Sequence, residues 1–266
     1  MARVEPIVGE PAAVADLGAE RALLVADVHA GIEVGLRYER GVELASRAAG
    51  RRERLLRLLE ETDVDRLVVL GDLAHRIGAP DGEEREELER LIEAVTARVP
   101  MTLVEGNHDA GVAEAFADVL HVIEPGGGLL RSGVVGVVHG HTWPDPELLA
   151  ADVICMGHEH PQVRLEDAVG GSRVKRAWLR GGVDPTAFVE DDRDTGAGAA
   201  EVDAAGVDGP TDPPELVVFP AFNERSGGTW VNVDGQSFLA PFLPAALPAG
   251  DAYLLDGTRL GDYRRV

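Results

Sequence analysis

Seven of the chain's 8 histidines stand in short polar clusters, each directly after an apolar run. "ADVH" supplies Asp27 and His29, "GDLAH" supplies Asp72 and His75, and "GNHD" supplies Asn107, His108 and Asp109. "HGH" supplies His139 and His141, and "GHEH" supplies His158 and His160. Carboxylates, an amide carbonyl and imidazoles are metal donors, and this mixture of oxygen and nitrogen suits Mn, Fe, Co, Ni or Zn. There are more donors than one ion needs, so two ions sharing one carboxylate are the economical reading. His158 and His160 carry the sharpest geometric hint. Residues i and i+2 diverge on a helix but point the same way in an extended chain, so both could face one point just past a strand.

The elements that must position these residues are legible as short apolar runs. "RALLVADVH" (21–29), "DRLVVLGD" (65–72), "VPMTLVEGNHD" (99–109), "GVVGVVHGH" (133–141) and "ADVICMGHEH" (151–160) fit buried strands in length and branched-residue content. Helical patterns lie between them. Residues 43–61 carry leucines at helical spacing, and residues 82–98 set Leu88, Leu91, Ile92 and Val95 on one stripe, with acidic residues at the start and Arg98 at the end. Alternating strand and helix predicts an α/β fold with buried sheets, whose strand ends converge on a ligand crevice. The second half reads as strands and hairpins in "SRVKRAWLRGG", "PELVVFPAF", "GTWVNVDG" and "YLLDGTRLGDY", with a tight turn at Asp256-Gly257. Residues 190–213 are acidic, rich in Gly and Ala and nearly free of large apolar side chains, so they are expected to form a disordered surface insertion. The expectation is one domain over 1–266.

The chain has 266 residues, 47 acidic against 25 basic, for a net charge of -22. Lys175 is its one lysine. This balance resembles proteins of high-salt cytoplasm, where screening over roughly 3 Å tolerates such repulsion; an acidic protein of ordinary cytoplasm is the alternative. The charge speaks to environment rather than to substrate, because bound divalent metals make a local cationic spot whatever the total. The lone Cys155 excludes an intrachain disulfide and reads as a small buried residue, consistent with a reducing, cytoplasmic setting. No run approaches the ~18 apolar residues of a membrane span.

Taken in order, DxH, GDxxH, GNHD, HGH and GHxH resemble the calcineurin-like metallophosphoesterase superfamily over roughly residues 22–163. The resemblance implies a four-layer α/β/β/α sandwich of two mixed sheets and hydrolysis of phosphoesters assisted by two divalent metals, Mn most readily. It implies roles position by position: Asp27, His29 and His160 on the first metal, Asn107, His139 and His158 on the second, and Asp72 bridging both. His108 would be the proton donor to the leaving group or a stabiliser of the developing charge, with Asp109 or a nearby carboxylate fixing its tautomer. "HAGIE", "GDLAH", "HGHTWP", "GHEHP" and "PAF" are further similar to a subgroup whose bacterial members are described as ligase-associated DNA-damage-response endonucleases, with archaeal relatives known as phosphoesterases. That resemblance implies a nuclease acting on DNA or RNA, with repair helicase or ligase partners. A phosphodiesterase for nucleotides or other small molecules is a second reading, and a non-catalytic scaffold on the same fold a third.

The remaining candidates divide. His75 is either a supporting or substrate-facing residue or a structural one, and His141 supports the site or packs its loop. Asn223 and Arg225, beyond a strand, could reach a substrate phosphate. Glu33 is expected to face solvent, and Arg47, Arg51, Arg52, Arg54 and Arg57 to form a solvated helix face. Trp143 is expected to pack a loop, and His121 to be structural.

Overall fold

Branched and small apolar residues in runs of four or five build two sheets that stack face to face. The computed structural model describes residues 3–131, 133–167, 169–188 and 213–266; the expected insertion at 190–213 lies outside these except for Pro213. The first sheet follows chain order: β1 (Val4–Pro6), β2 (Ala12–Asp16), β3 (Arg21–Val25), β4 (Arg66–Val69), β5 (Met101–Val104) and β6 (His121–Ile123). β1 to β3 are antiparallel and β3 to β6 parallel. The second sheet uses β7 (Gly128–Leu129), β8 (Val135–Val138), β9 (Val153–Met156), β10 (Gln162–Glu166), β11 (Ser172–Gly182), β12 (Glu215–Val218), β13 (Asp251–Leu254) and β14 (Arg259–Asp262). Its order is β14-β13-β11-β12-β9-β8-β7, with β10 paired to β11, and β8, β9 and β12 run parallel.

The period-2 alternation of a strand divides its side chains between layers. In β3, Leu23 and Val25 face the helices while Ala22 and Leu24 face the other sheet. In β9, Ile154 and Met156 face outward while Val153 and Cys155 join the layer between the sheets. Trp178 and Phe219 meet edge to face in that middle layer, ring centroids 4.7 Å apart. On the outer face of the first sheet lie α1 (Ile32–Arg40), α2 (Ala48–Thr62) and α3 (Gly82–Thr96). Leu55, Leu58, Leu88, Leu91 and Val95 are their fully or nearly fully buried contribution. The outer face of the second sheet is covered by thinner material: a 3-10 turn at Pro146–Ala150, the short α5 (Pro185–Phe188, counting Ala110–Ala115 as α4) and the segment carrying Phe242, Leu243 and Leu247. The expected sandwich of two mixed sheets is therefore present.

Three details differ from expectation. "GTWVNVDG" is not a strand; Trp230 makes one isolated bridge to Gln162. The β1–β2 hairpin and α1 were not foreseen. α1 buries Ile32, Glu33 and Gly35 and leaves Tyr38 exposed, so its buried face is not marked by its large apolar residues alone. No described helix is long and apolar enough to cross a membrane.

Candidate metal centre

The parallel strands of both sheets end at one seam, and the polar clusters sit in the turns that follow. The sheets are tied there by backbone: Phe222 N–H donates to Ala26 at 2.8 Å and Asn223 N–H to Asp27 at 3.1 Å. The first sheet delivers Asp27 and His29 after β3, Asp72 after β4 and Asn107 after β5; the second delivers His139 after β8, and His158 and His160 after β9. Two triads result. Asp27, His29 and His160 form one, and Asp72, His139 and His158 the other; within each, the donor atoms all lie within 4.8 Å of one another. Each triad draws on both sheets.

Asp72 stands between them. Its Oδ2 lies 3.7 Å from His29 Nε2 and its Oδ1 3.4 Å from His139 Nε2, one oxygen toward each triad. Asn107 Oδ1 is 3.2 Å from the same His139 nitrogen. His160 Nε2 is 3.1 Å from Asp27 Oδ1 and 3.4 Å from His29 Nε2.

The donor set fits divalent cations by its tautomers. His29 Nδ1–H donates to the carbonyl of Ala74 (3.3 Å), His139 Nδ1–H to Leu70 (2.7 Å) and His160 Nδ1–H to Gly227 (2.8 Å). Each ring thus turns an Nε2 lone pair inward, as a metal-binding histidine requires. Burial keeps His29 and His158 neutral, with pKa values lowered to about 4. Against burial, the Asp72 and Asp27 carboxylates raise His139 to about 9, a charge that a bound cation would displace. Asp27 and Asp72 are held well below the usual carboxylate range, the surrounding imidazoles outweighing burial.

The backbone pays for this convergence. Non-glycine residues with left-handed φ are Asp27 (56°), His29 (46°), Asp72 (52°), His158 (67°), His160 (45°) and, at the end of α2, Asp63 (49°), among the described residues. Five of the six are candidate ligands, and strain of this kind gathers at functional sites. The expected extended HxH is therefore corrected: His158 and His160 reach different triads through left-handed turns past the end of β9. Close approach also fixes Gly71, at φ 85°, where a Cβ would collide with the His139 ring.

His108 lies beside the triads, its Nε2 3.8 Å from Asp72 Oδ2. Its tautomer is set not by Asp109 but by the carbonyl of His75, to which Nδ1–H donates. Asp109 braces loops instead. Its Oδ1 accepts from Leu73 and Ala74 N–H and its Oδ2 from Gly106 N–H, at 2.9–3.3 Å. Burial, with the charge of Asp72, pushes its carboxyl up to about 7. His75 stacks on His108, centroids 6.0 Å apart, and meets His29 edge on at 5.5 Å. His141 flanks His139 at 5.3 Å and His158 at 6.1 Å. Asn223 is buried, its Nδ2 donating to Val28 (3.0 Å) and its Oδ1 accepting from Arg225 N–H (2.7 Å), so it braces the ligand loop rather than reaching outward. Arg225 Nε lies 3.1 Å from Glu33. Trp143 packs a loop against Phe242, and His121, on β6, is exposed.

Sequence reasoning missed the charges that hold these loops. Glu33 is buried, not solvated, and so is Arg51. Arg51 binds both oxygens of Glu33 (2.9 and 2.7 Å) and both of Glu87 (2.8 and 2.9 Å), and Glu87 also accepts from Gly31 N–H. Buried Glu84 accepts from His75 and Arg76 N–H, both at 2.9 Å. Glu159, between the two histidines, points into the interior and accepts from Leu239 N–H, Ala240 N–H and the Thr229 hydroxyl. No sequence signal placed Glu159, because strand alternation does not hold through the left-handed turns at His158 and His160.

The comparisons agree with this geometry. A family model described as calcineurin-like phosphoesterase matches residues 20–184. The nuclease MPE of Pseudomonas putida is similar in structure, with a TM-score of 0.53 and 21% identity, over 97% of this chain and 100% of that one. The phosphoesterase YfcE of E. coli matches over 55% of this chain and 74% of its own, with 24% identity and a TM-score of 0.34. No curated protein matches the chain. The family match spans more than half of the sequence and includes the turns that carry both triads, and the chain belongs to the calcineurin-like phosphoesterases, metal-dependent hydrolases.

Proposed function

We propose that the protein is a nuclease that hydrolyses phosphodiester bonds of DNA or RNA at a two-metal centre. Asp27, His29 and His160 would hold one divalent cation and Asn107, His139 and His158 the other, with Asp72 between them and Mn2+ the preferred metal. The observation that carries this reading is the pair of triads with the two Asp72 oxygens turned one to each. Bound there, the cations would supply Lewis acidity toward a phosphoryl oxygen and lower the pKa of water. The chain's own groups do the rest. Backbone carbonyls of Leu70, Ala74 and Gly227 aim the imidazoles. The His75 carbonyl holds His108 by Nδ1, which leaves its Nε2 to carry a proton to the leaving oxygen. Polynucleotide as substrate is supported by the likeness of "HGHTWP" and "GHEHP" to the ligase-associated endonucleases, and by the fold shared with the P. putida nuclease. A role in repair, with a ligase or helicase as partner, rests on that likeness.

The test is internal cleavage of a single-stranded oligonucleotide with added Mn2+, compared with an aryl phosphodiester. His108→Ala is expected to lower turnover of both by about 10²–10⁴-fold, with bound metal unchanged. Hydrolysis confined to mononucleotides or aryl esters would replace the nuclease by a small-molecule phosphodiesterase. Absence of bound metal together with absence of aryl ester hydrolysis would reject the centre itself.

A further inference from the structure

Beside the centre, the loop 223–227 separates two adjoining clefts that share Glu224. The first, of 390 Å³, is lined by Arg47, Arg51, Arg54 and Arg225, and each of these guanidiniums is matched by a glutamate within 4 Å. The second, of 520 Å³, is different. Its wall includes Lys175, Arg176 and Ser226. Arg176 is half-buried, and among the described residues it has no carboxylate within ion-pairing distance; its one hydrogen bond runs from Nη1 to the Ala221 carbonyl at 2.9 Å. Burial and the nearby Arg54 work against its charge, while Glu224 and Glu10, beyond ion-pairing distance, favour it. A partly buried guanidinium with no carboxylate in ion-pairing distance is costly to keep, and it is the group best suited to a phosphate.

The two carboxylates on the cleft wall, Glu224 and Asp256, favour the charges of Arg176 and Lys175 from a distance, but their hydrogen bonds and ion pairs run to other partners. Glu224 pairs with Arg47 at 2.6 Å and Arg54 at 3.4 Å, and Asp256 accepts from Thr258 N–H in the β13–β14 turn. The cleft is also close to the chemistry in the chain. Ser226 precedes Gly227, whose carbonyl holds His160, and Arg176 is bonded to Ala221, on the segment whose next two residues, Phe222 and Asn223, bond the backbone of Ala26 and Asp27.

We propose that this second cleft is a strand-binding subsite, in which Arg176 takes a backbone phosphate of the polynucleotide. The proposal rests on the nuclease reading and adds where the strand leaves the centre. An oligonucleotide then gains affinity from this contact, and an ester with a single phosphate does not.

The experiment measures kcat and KM of the metal-loaded protein on a single-stranded oligonucleotide and on an aryl phosphodiester, for the wild type, Arg176→Gln and Arg176→Lys. The expected result is an oligonucleotide KM raised about tenfold in Arg176→Gln, with partial recovery in Arg176→Lys and aryl ester kinetics retained. The salt dependence of oligonucleotide binding should flatten by about 0.7 in log–log slope, the value for one lost phosphate contact on a single strand. An unchanged oligonucleotide KM in Arg176→Gln overturns the subsite. So does an equal loss on both substrates, which would assign Arg176 to support of the fold. A wild type that hydrolyses the aryl ester but no oligonucleotide fails at the earlier step, the nuclease reading, and is distinguishable by needing no variant.

Discussion

Five candidate ligands sit on backbone that L-residues avoid, and the cost of that conformation is on the order of 1–2 kcal/mol at each. The left-handed turn lets a side chain leave the end of a strand and bend back over the seam, which an extended residue cannot do. It also inverts the ordinary ranking of small substitutions. At most positions alanine is tolerated better than glycine; at His158, with φ 67°, the reverse holds. His158→Gly is expected to melt later than His158→Ala, by about 1 kcal/mol of stability, while both lose metal from the Asp72 triad. Calorimetry of the two metal-free variants, with metal content measured alongside, checks this. Residue types announced the donors in the sequence, because seven of the 8 histidines fall in these clusters; the carboxylates, 47 in all, were singled out by standing beside them. Backbone conformation was not announced. An HxH reads equally well as extended, and the left-handed φ of His158 and His160, with Glu159 turned inward to accept from Leu239 and Ala240, shows how the chain turns.

At the scale of elements, the helices reach the centre through charge as well as through leucine. Arg51 of α2 holds Glu33 of α1 and Glu87 of α3, and Glu87 in turn holds the Gly31 N–H two residues beyond His29. A buried pair is weak evidence of net stabilisation, but removing one partner strands the others. Arg51→Met is therefore expected to cost about 3–5 kcal/mol in denaturant unfolding, because Glu87 loses its cation and Glu33 keeps only Arg225. A Glu33→Gln, Arg51→Met, Glu87→Gln triple variant should recover part of that loss. Strands were legible as apolar runs because β3, β4, β5, β8 and β9 are covered on both faces. This charged knot was not, since glutamate and arginine default to the surface. For the same reason the buried face of α1, which includes Glu33, was not readable from its large apolar residues alone.

For the whole molecule, two quantities outside the fold set its stability: metal and salt. Ligand binding to the native state adds RT ln(1 + [L]/Kd), about 2.7 kcal/mol when free metal is a hundredfold above Kd. Melting should therefore rise with Mn2+ and fall on chelation, and Asp72→Asn should show a much smaller rise, since one oxygen toward a triad becomes an amide nitrogen. The net charge of -22 acts in the opposite sense, and at molar salt its repulsion is screened to roughly 3 Å. The melting temperature of metal-free protein is expected to climb with KCl; a melting temperature independent of salt would remove the high-salt reading. The acid excess was visible in composition, whereas the local exception around Arg176 required the strands to be folded.

Because both triads straddle the seam, neither slab of the sandwich owns a complete one. The stretch that emerges first from the ribosome carries Asp27, His29, Asp72 and Asn107, and the imidazoles of His139, His158 and His160 arrive later. A nascent or truncated chain can thus be well packed and still be a poor chelator, so reactive ions are captured only by a finished molecule.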